Sequence, residues 1–293
     1  MKESDIDPKI FDLYDVYCHS AMERREFLKR AAAITVIGGS GLAMAEAVLP
    51  QYAQAQTISF TDKRIKARYV TYPSPGGNAD EMRGYLVQPV GEGPFPAVLI
   101  VHENRGLNPY IEDVARRAAV AGFLALAPDA LTPLGGYPGN DDDGKVMQRK
   151  LDRGKIHVDM LNGAKFLKAH ARSNGKLGAT GFCFGGGVTN YLAVEMGSDL
   201  QAAAPFYGRA PKTEGVKNIK AAVLVHYAED DPRVNATRAD YEAALKAAGA
   251  SYEMHTYAGT RHGFHNNSTL RYDEVAAKLA WQRTIDLFKK QLT

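Results

Sequence analysis

A thiol flanked by glycines opens the chemistry of this sequence. Residues Lys176 to Thr180 read as a strand and lead into Gly181-Phe182-Cys183-Phe184-Gly185. A strand that feeds Gly-x-Cys-x-Gly and then a helix presents its central residue on a sharp turn, where side chains on the flanking residues would clash. The N-terminus of the following helix favours the thiolate, which is the attacking species. Two partners come later in the chain, in an order suited to nucleophilic catalysis. Asp231 lies just past the strand-like run Ala221 to His226, and His262 just past Tyr252 to Tyr257. An imidazole takes the proton of a thiol, and a carboxylate orients that imidazole and stabilises its cation. The Gly-rich turn lies in mid-chain and lacks the spacing to an acid that a dinucleotide fingerprint requires.

The elements that must position these residues alternate between strand and helix. Arg64 to Tyr72 and Met82 to Gln88 flank the turn Pro75-Gly76-Gly77-Asn78 and predict an antiparallel hairpin. Ala97 to Val101 is a continuous apolar run, as a strand covered on both faces should be, and Ile111 to Ala121 has helical spacing. Phe123 to Ala127 and Ala202 to Tyr207 read as further strands. Val146 to Ala171, Thr237 to Ala248 and Asp273 to Lys290 read as helices, and Leu131 to Asp143, rich in Gly, Pro and Asp, as a loop. Strands alternating with helices of this length imply an α/β domain over 56–293, built on a mostly parallel, doubly wound sheet. Its loops gather at the carboxyl ends of the strands, so Cys183, Asp231 and His262 are placed on one edge.

With its Gly-x-Cys-x-Gly turn, the ordered Asp and His, and Glu103 in Val101-His102-Glu103-Asn104-Arg105-Gly106, the chain resembles the dienelactone hydrolase family. The likeness runs from about Lys63 to Leu287 and implies the α/β-hydrolase fold. It implies further that Glu103 controls ionisation of the Cys183 thiol, and that the backbone N–H groups of Asn104 and Phe184 form an oxyanion hole. The implied reaction opens a lactone or carboxylic ester through an acyl-enzyme on a Cys183-His262-Asp231 triad. A general carboxylesterase or thioesterase of the same fold, and a non-catalytic exported binding protein, are the competing readings. The family's type member holds the substrate carboxylate with an arginine four residues past the catalytic histidine, and here that position is Asn266. Arg105, Arg149 and Arg153 are the remaining candidates for an anion. The exchange at Asn266 predicts weak preference for acidic lactones.

Composition sets the outer limits. With 36 basic and 33 acidic residues the formal charge is +3, and no long basic run supplies a nucleic-acid footprint. Two cysteines exclude both a disulfide scaffold and a four-cysteine metal site. No cofactor or metal is expected, and the expected partner is a small ester or lactone. His226, closing a core strand, reads as a buried structural residue. At the N-terminus, Arg24-Arg25-Glu26-Phe27-Leu28-Lys29 precedes a Gly/Ala-rich run, Ala31 to Leu49. This resembles a twin-arginine export signal, with small-residue sites at Ala43-Met44-Ala45 and Ala53-Gln54-Ala55. The expectation is residues 1–55 as signal and linker, cleavage after Ala55, contact with the export machinery, no stable membrane anchor and a periplasmic or secreted product.

Overall fold

The computed structural model describes residues 5–34 and 40–293; Gly38 and Gly39 of the Gly/Ala-rich run fall outside them. Eight strands form one sheet: β1 (Ile65–Pro73), β2 (Glu81–Pro89), β3 (Phe95–Val101), β4 (Leu124–Pro128), β5 (Ser173–Phe182), β6 (Ala202–Phe206), β7 (Ala222–Asp230) and β8 (Tyr252–Arg261). Their order is β1-β2-β4-β3-β5-β6-β7-β8. The first two junctions are antiparallel, and every pairing from β4 onward is parallel. This is the mostly parallel sheet with an antiparallel start that the sequence predicts.

Eleven α-helices accompany the sheet among the described residues: α1 (Pro8–His19), α2 (Arg24–Ala32), α3 (Gly41–Ala47), α4 (Tyr52–Ala55), α5 (Pro109–Val120), α6 (Asp141–Lys150), α7 (Arg153–Lys168), α8 (Phe184–Met196), α9 (Pro232–Asn235), α10 (Arg238–Ala247) and α11 (Glu274–Leu292). On one face of the sheet α7, α8 and α10 bury Ile156, Met160, Leu192 and Leu245 against Leu99 and Val225. On the other, α5 and α11 bury Val114, Ala118, Ile285 and Phe288 against Val98 and Ile100. The central strands are therefore covered on both faces, which is why β3 and β4 read as unbroken apolar runs.

Two boundaries differ from the sequence reading. The helix expected over Val146 to Ala171 is two helices, because Leu151 turns to extended backbone and the Asp152 side chain accepts the Lys155 N–H at 2.9 Å to start α7. The preceding loop also ends early, since Asn140 caps α6 and its first turn carries Asp141, Asp142 and Asp143, which suit a helix N-terminus.

The segment that the sequence reading separates as a signal is folded against the domain. Ile10, Tyr14, Tyr17 and Cys18 form one face of α1 and pack with Phe27 and Ala31 of α2 and Met44, Ala45, Val48 and Leu49 from α3 and its end. Two hydrogen bonds continue it into the domain, Gln51 N–H to the Ser268 carbonyl at 2.6 Å and Asn267 Nδ2 to the Ala55 carbonyl at 2.7 Å. The guanidiniums of Arg261 and Arg271 lie over the rings of Phe11 and Tyr14, 5.0 and 4.6 Å from their centres. No helix among the described residues is long and apolar enough to cross a membrane.

Candidate active site

Cys183 stands between β5 and α8 with φ 55° and ψ −111°, a conformation L-residues rarely adopt. The glycines around it are demanded by neighbouring backbone. A Cβ on Gly181 would fall 2.3 Å from the Gly185 carbonyl oxygen, and one on Gly185 would fall 2.2 Å from that of Val101. The close approach of β3 that forbids a side chain at Gly185 also brings the loop beginning at His102 beside the thiol. Strain held at such a turn is typical of a functional position.

Asp231, past the end of β7, does two things. One carboxylate oxygen caps α9 by accepting the Val234 N–H at 3.3 Å, and the other contacts His262 Nδ1 at 2.5 Å. Both side chains are nearly inaccessible. One carboxylate thus serves both as a helix cap and as the partner of the imidazole. His262 comes directly after β8, and its ring lies 4.9 Å from that of Tyr207.

A second imidazole completes the cluster. His19, the last residue of α1, puts Nε2 3.4 Å from Cys183 Sγ. Its Nδ1 faces only acceptors, the Asp15 carbonyl oxygen at 2.9 Å and an Asp15 carboxylate oxygen at 3.1 Å. The rings of His19 and His262 meet edge to face, 4.8 Å between centres. One nitrogen from each and the Cys183 sulfur all lie within 4.8 Å of one another. Burial opposes ionisation of Cys183, but the charges of His262 and His19 and their hydrogen bonds win and hold the thiol well below its ordinary range. Burial likewise opposes both imidazolium ions. The Cys183 charge and the aspartates outweigh it and push His262 up to about 9 and His19 up to about 10.

Glu103 is buried and accepts from Asn266 Nδ2 at 3.1 Å. Burial and the neighbouring Cys183 charge raise its carboxyl above the usual range. The preceding residue fixes the loop: His102 Nδ1 donates to the Glu103 carbonyl at 2.5 Å, and its Nε2 accepts the Ala130 N–H at 3.1 Å. Asn104 and Phe184 line one cavity with Cys183. Phe184 is the first residue of α8, where an N–H has no intrahelical partner.

That cavity, about 480 Å³, is lined by Lys145, Arg149, Arg153, Arg209 and Arg233 and, among the described residues, by no carboxylate. The arginines singled out from sequence divide. Arg153 lines the cavity beside the Phe184 ring. Arg149 lines it too, while donating to the Ser20 carbonyl. Arg105 is buried away from it, paired with Asp141 at 2.8 Å and contacting Cys18 Sγ at 2.9 Å. Asn266 is also outside, so an arginine there would meet Glu103 before any ligand in the cavity. Sequence reasoning missed His19, Lys145, Arg209 and Arg233. The last two stand just past strand ends, at Tyr207-Gly208-Arg209 and Asp231-Pro232-Arg233, and the rule that found Asp231 could have found them. His226, as expected, is buried and structural, bonded to the Tyr257 and Thr284 hydroxyls.

A model of a family described as the dienelactone hydrolase family matches residues 82–292, and one described as YqhI-like matches residues 1–34. The chain is 58% identical over 114 residues to an Escherichia coli protein named "Putative hydrolase fragment YghX", covering 39% of this chain and 97% of that one. It is 30% identical over 257 residues to a Saccharolobus solfataricus protein named "Putative carboxymethylenebutenolidase", covering 75% and 97%. Among solved structures, a dienelactone hydrolase-like promiscuous phosphotriesterase from metagenomic libraries superimposes with a TM-score of 0.67 at 25% identity, covering 78% of this chain and 100% of the other.

Proposed function

This chain belongs to the dienelactone hydrolase family, and from that premise we propose that it opens an anionic lactone or ester through an acyl-enzyme on Cys183. The observation that carries the reading is the Asp231–His262 pair, with an imidazole nitrogen within 4.8 Å of a thiol that lines a cavity rich in cations. His262 takes the Cys183 proton while Asp231 holds the imidazole in the tautomer that leaves Nε2 toward sulfur. The sulfur attacks the carbonyl carbon. The oxyanion lies against the N–H groups of Asn104 and Phe184, and the leaving oxygen recovers the proton from His262. Glu103, whose carboxyl burial and the Cys183 charge raise above the usual range, adjusts the charge around the thiol. Lys145, Arg149, Arg153, Arg209 and Arg233 supply the field that draws a carboxylate into the cavity.

The test is a turnover panel of a carboxylated lactone, a neutral aryl ester, a thioester and a phosphotriester, the last included for the sake of the metagenomic relative. Intact mass is recorded during turnover. An acyl adduct on Cys183, loss of at least about a thousandfold in turnover in Cys183→Ala, and a preference for the carboxylated lactone are the expected results. Full turnover in Cys183→Ala would exclude the nucleophile. From Arg24 and Arg25, both exposed on α2, we also propose export by the twin-arginine route, which carries folded chains. N-terminal sequencing of the exported form reads whether processing has taken place near Gln56.

A further inference from the structure

We propose that His19 is a second catalytic base, brought to Cys183 by the N-terminal helices to activate the water that releases the acyl group. This rests on the acyl-enzyme reading above and assigns its second half-reaction. The geometry is that of two Asp–His pairs converging on one sulfur, Asp231–His262 from the strand ends and Asp15–His19 from α1. They differ in where they face. His19 lines the 480 Å³ cavity together with Cys183, whereas His262 does not. His262 meets Cys183 only at a void of about 10 Å³ that His19 also lines, so water that replaces the departing alcohol in the large cavity reaches His19.

The contacts fix the tautomer. Nδ1 lies between two Asp15 oxygens and carries a proton in every state. Nε2 lies 3.0 Å from Arg233 Nη2, a permanent donor, and 3.4 Å from Cys183 Sγ. Uncharged, Nε2 has a lone pair to accept a proton; charged, it donates to the thiolate. After acylation the sulfur is a thioester and bears no charge, so the ion that held the proton on His19 is gone, that proton is lost to solvent, and the imidazole becomes a base.

In the step assigned to it, water gives one proton to His19 Nε2 as its oxygen bonds to the thioester carbon. The tetrahedral intermediate collapses with rupture of the C–S bond, releasing the carboxylic acid and Cys183 as thiolate beside the His19 cation. The acid ionises to solvent. His19 keeps the proton it took, as the cation beside the thiolate, His262 regains from solvent the proton it gave to the leaving alcohol, and the cycle closes.

The imidazole is held for this task. The carbonyls at the end of α1 are taken up by the catalytic domain: Asn104 Nδ2 binds Cys18 O at 2.8 Å, Lys145 Nζ binds Tyr17 O at 2.9 Å and Met22 O at 2.8 Å, and Arg149 binds Ser20 O. Cations suit this end of a helix. The residue that holds the helix end, Asn104, is also the one whose N–H faces the proposed oxyanion, so cap and active site share a part.

The test uses the full chain with His19→Gln and His19→Ala. His19 is not part of the apolar cluster that holds α1, and melting curves check that both variants fold. Stopped-flow with an activated aryl ester separates acylation, seen as a burst, from turnover. At about pH 9.5, where even an ordinary thiol is mostly ionised, the expected result is a burst of one equivalent at a rate within about threefold of the parent. Steady-state turnover should fall about a hundredfold or more, an acyl adduct should accumulate on Cys183, and added imidazole should restore turnover in His19→Ala. Turnover within threefold of the parent in both variants overturns the assignment, as does a burst that slows in step with turnover. If the parent itself never acylates Cys183, it is the acyl-enzyme reading that fails. A processed form beginning near Gln56 lacks His19 and is expected to behave as His19→Ala.

Discussion

Lowering the pH should leave the reactivity of Cys183 nearly unchanged across a range in which an ordinary thiol loses almost all of its own. A unit positive charge on His19, 3.4 Å from Sγ, is worth roughly 5 kcal/mol at an effective dielectric of about 20 and favours the thiolate. His262 adds a second attraction, and burial of the thiolate takes part of the sum back. Because the two imidazolium charges together outweigh burial and hold the thiol well below its ordinary range, the sulfur stays largely thiolate as the pH falls from 8 to 6. The rate of alkylation by iodoacetamide between pH 8 and pH 6 should then fall less than about twofold, against roughly 75-fold for an unperturbed thiol. The ratio is taken within one protein, so the lower intrinsic nucleophilicity of an acidic thiolate cancels. The assay is peptide mass spectrometry with the Cys183 peptide counted separately from that of Cys18. In His19→Gln one attraction is lost, the thiol pKa rises, and the decline over the same interval should exceed about fivefold. A parent rate that drops tenfold for each pH unit below 8 would refute the electrostatic argument. A His19→Gln profile as flat as the parent's would show that His262 alone holds the thiolate.

Lys145→Met leaves the Tyr17 and Met22 carbonyls without their shared donor and removes a cation 3.8 Å from the centre of the Tyr17 ring, at a cost of about 2–4 kcal/mol. Amide exchange in α1 should accelerate about 30-fold or more while that of the central strands stays unchanged; equal protection of α1 in variant and parent would mean that Lys145 does not hold the cap. Arg153→Ala and Arg209→Ala should each raise KM for a carboxylated lactone by up to about tenfold, ~1.4 kcal/mol, and leave a neutral ester alone. Equal effects on the two substrates would assign these arginines to packing instead of anion recognition.

The turn that carries Cys183 was legible because its requirements are local. A strand-to-helix turn this tight needs glycines at fixed offsets, and a parallel sheet gathers the residues just past its strand ends along one edge, so Asp231 and His262 could be paired with Cys183 from order alone. The sheet itself was legible from apolar runs and periodicity, down to its antiparallel start. The break at Leu151-Asp152 was not, since an aspartate within a helical pattern reveals itself as a cap only when the chain before it has turned aside.

What only the tertiary structure decided is which distant residues share the cavity. Arg105 and Asn266, near the nucleophile by sequence argument, are engaged by Asp141 and Glu103, while Lys145, Arg209 and Arg233 face the space that a substrate would fill. The sharpest case is the N-terminus. Arg24 to Lys29 has the pattern of an export signal and is equally the first turns of an amphipathic helix with Phe27 buried, because both rest on the same short-range alternation of charge and apolar residues. His19 stands 164 residues from Cys183. Its sequence surroundings, Tyr17-Cys18-His19-Ser20, carry no mark of their meeting; the apolar face of α1 and the donors awaiting its last carbonyls bring the two together, and those contacts exist only once the chain has folded.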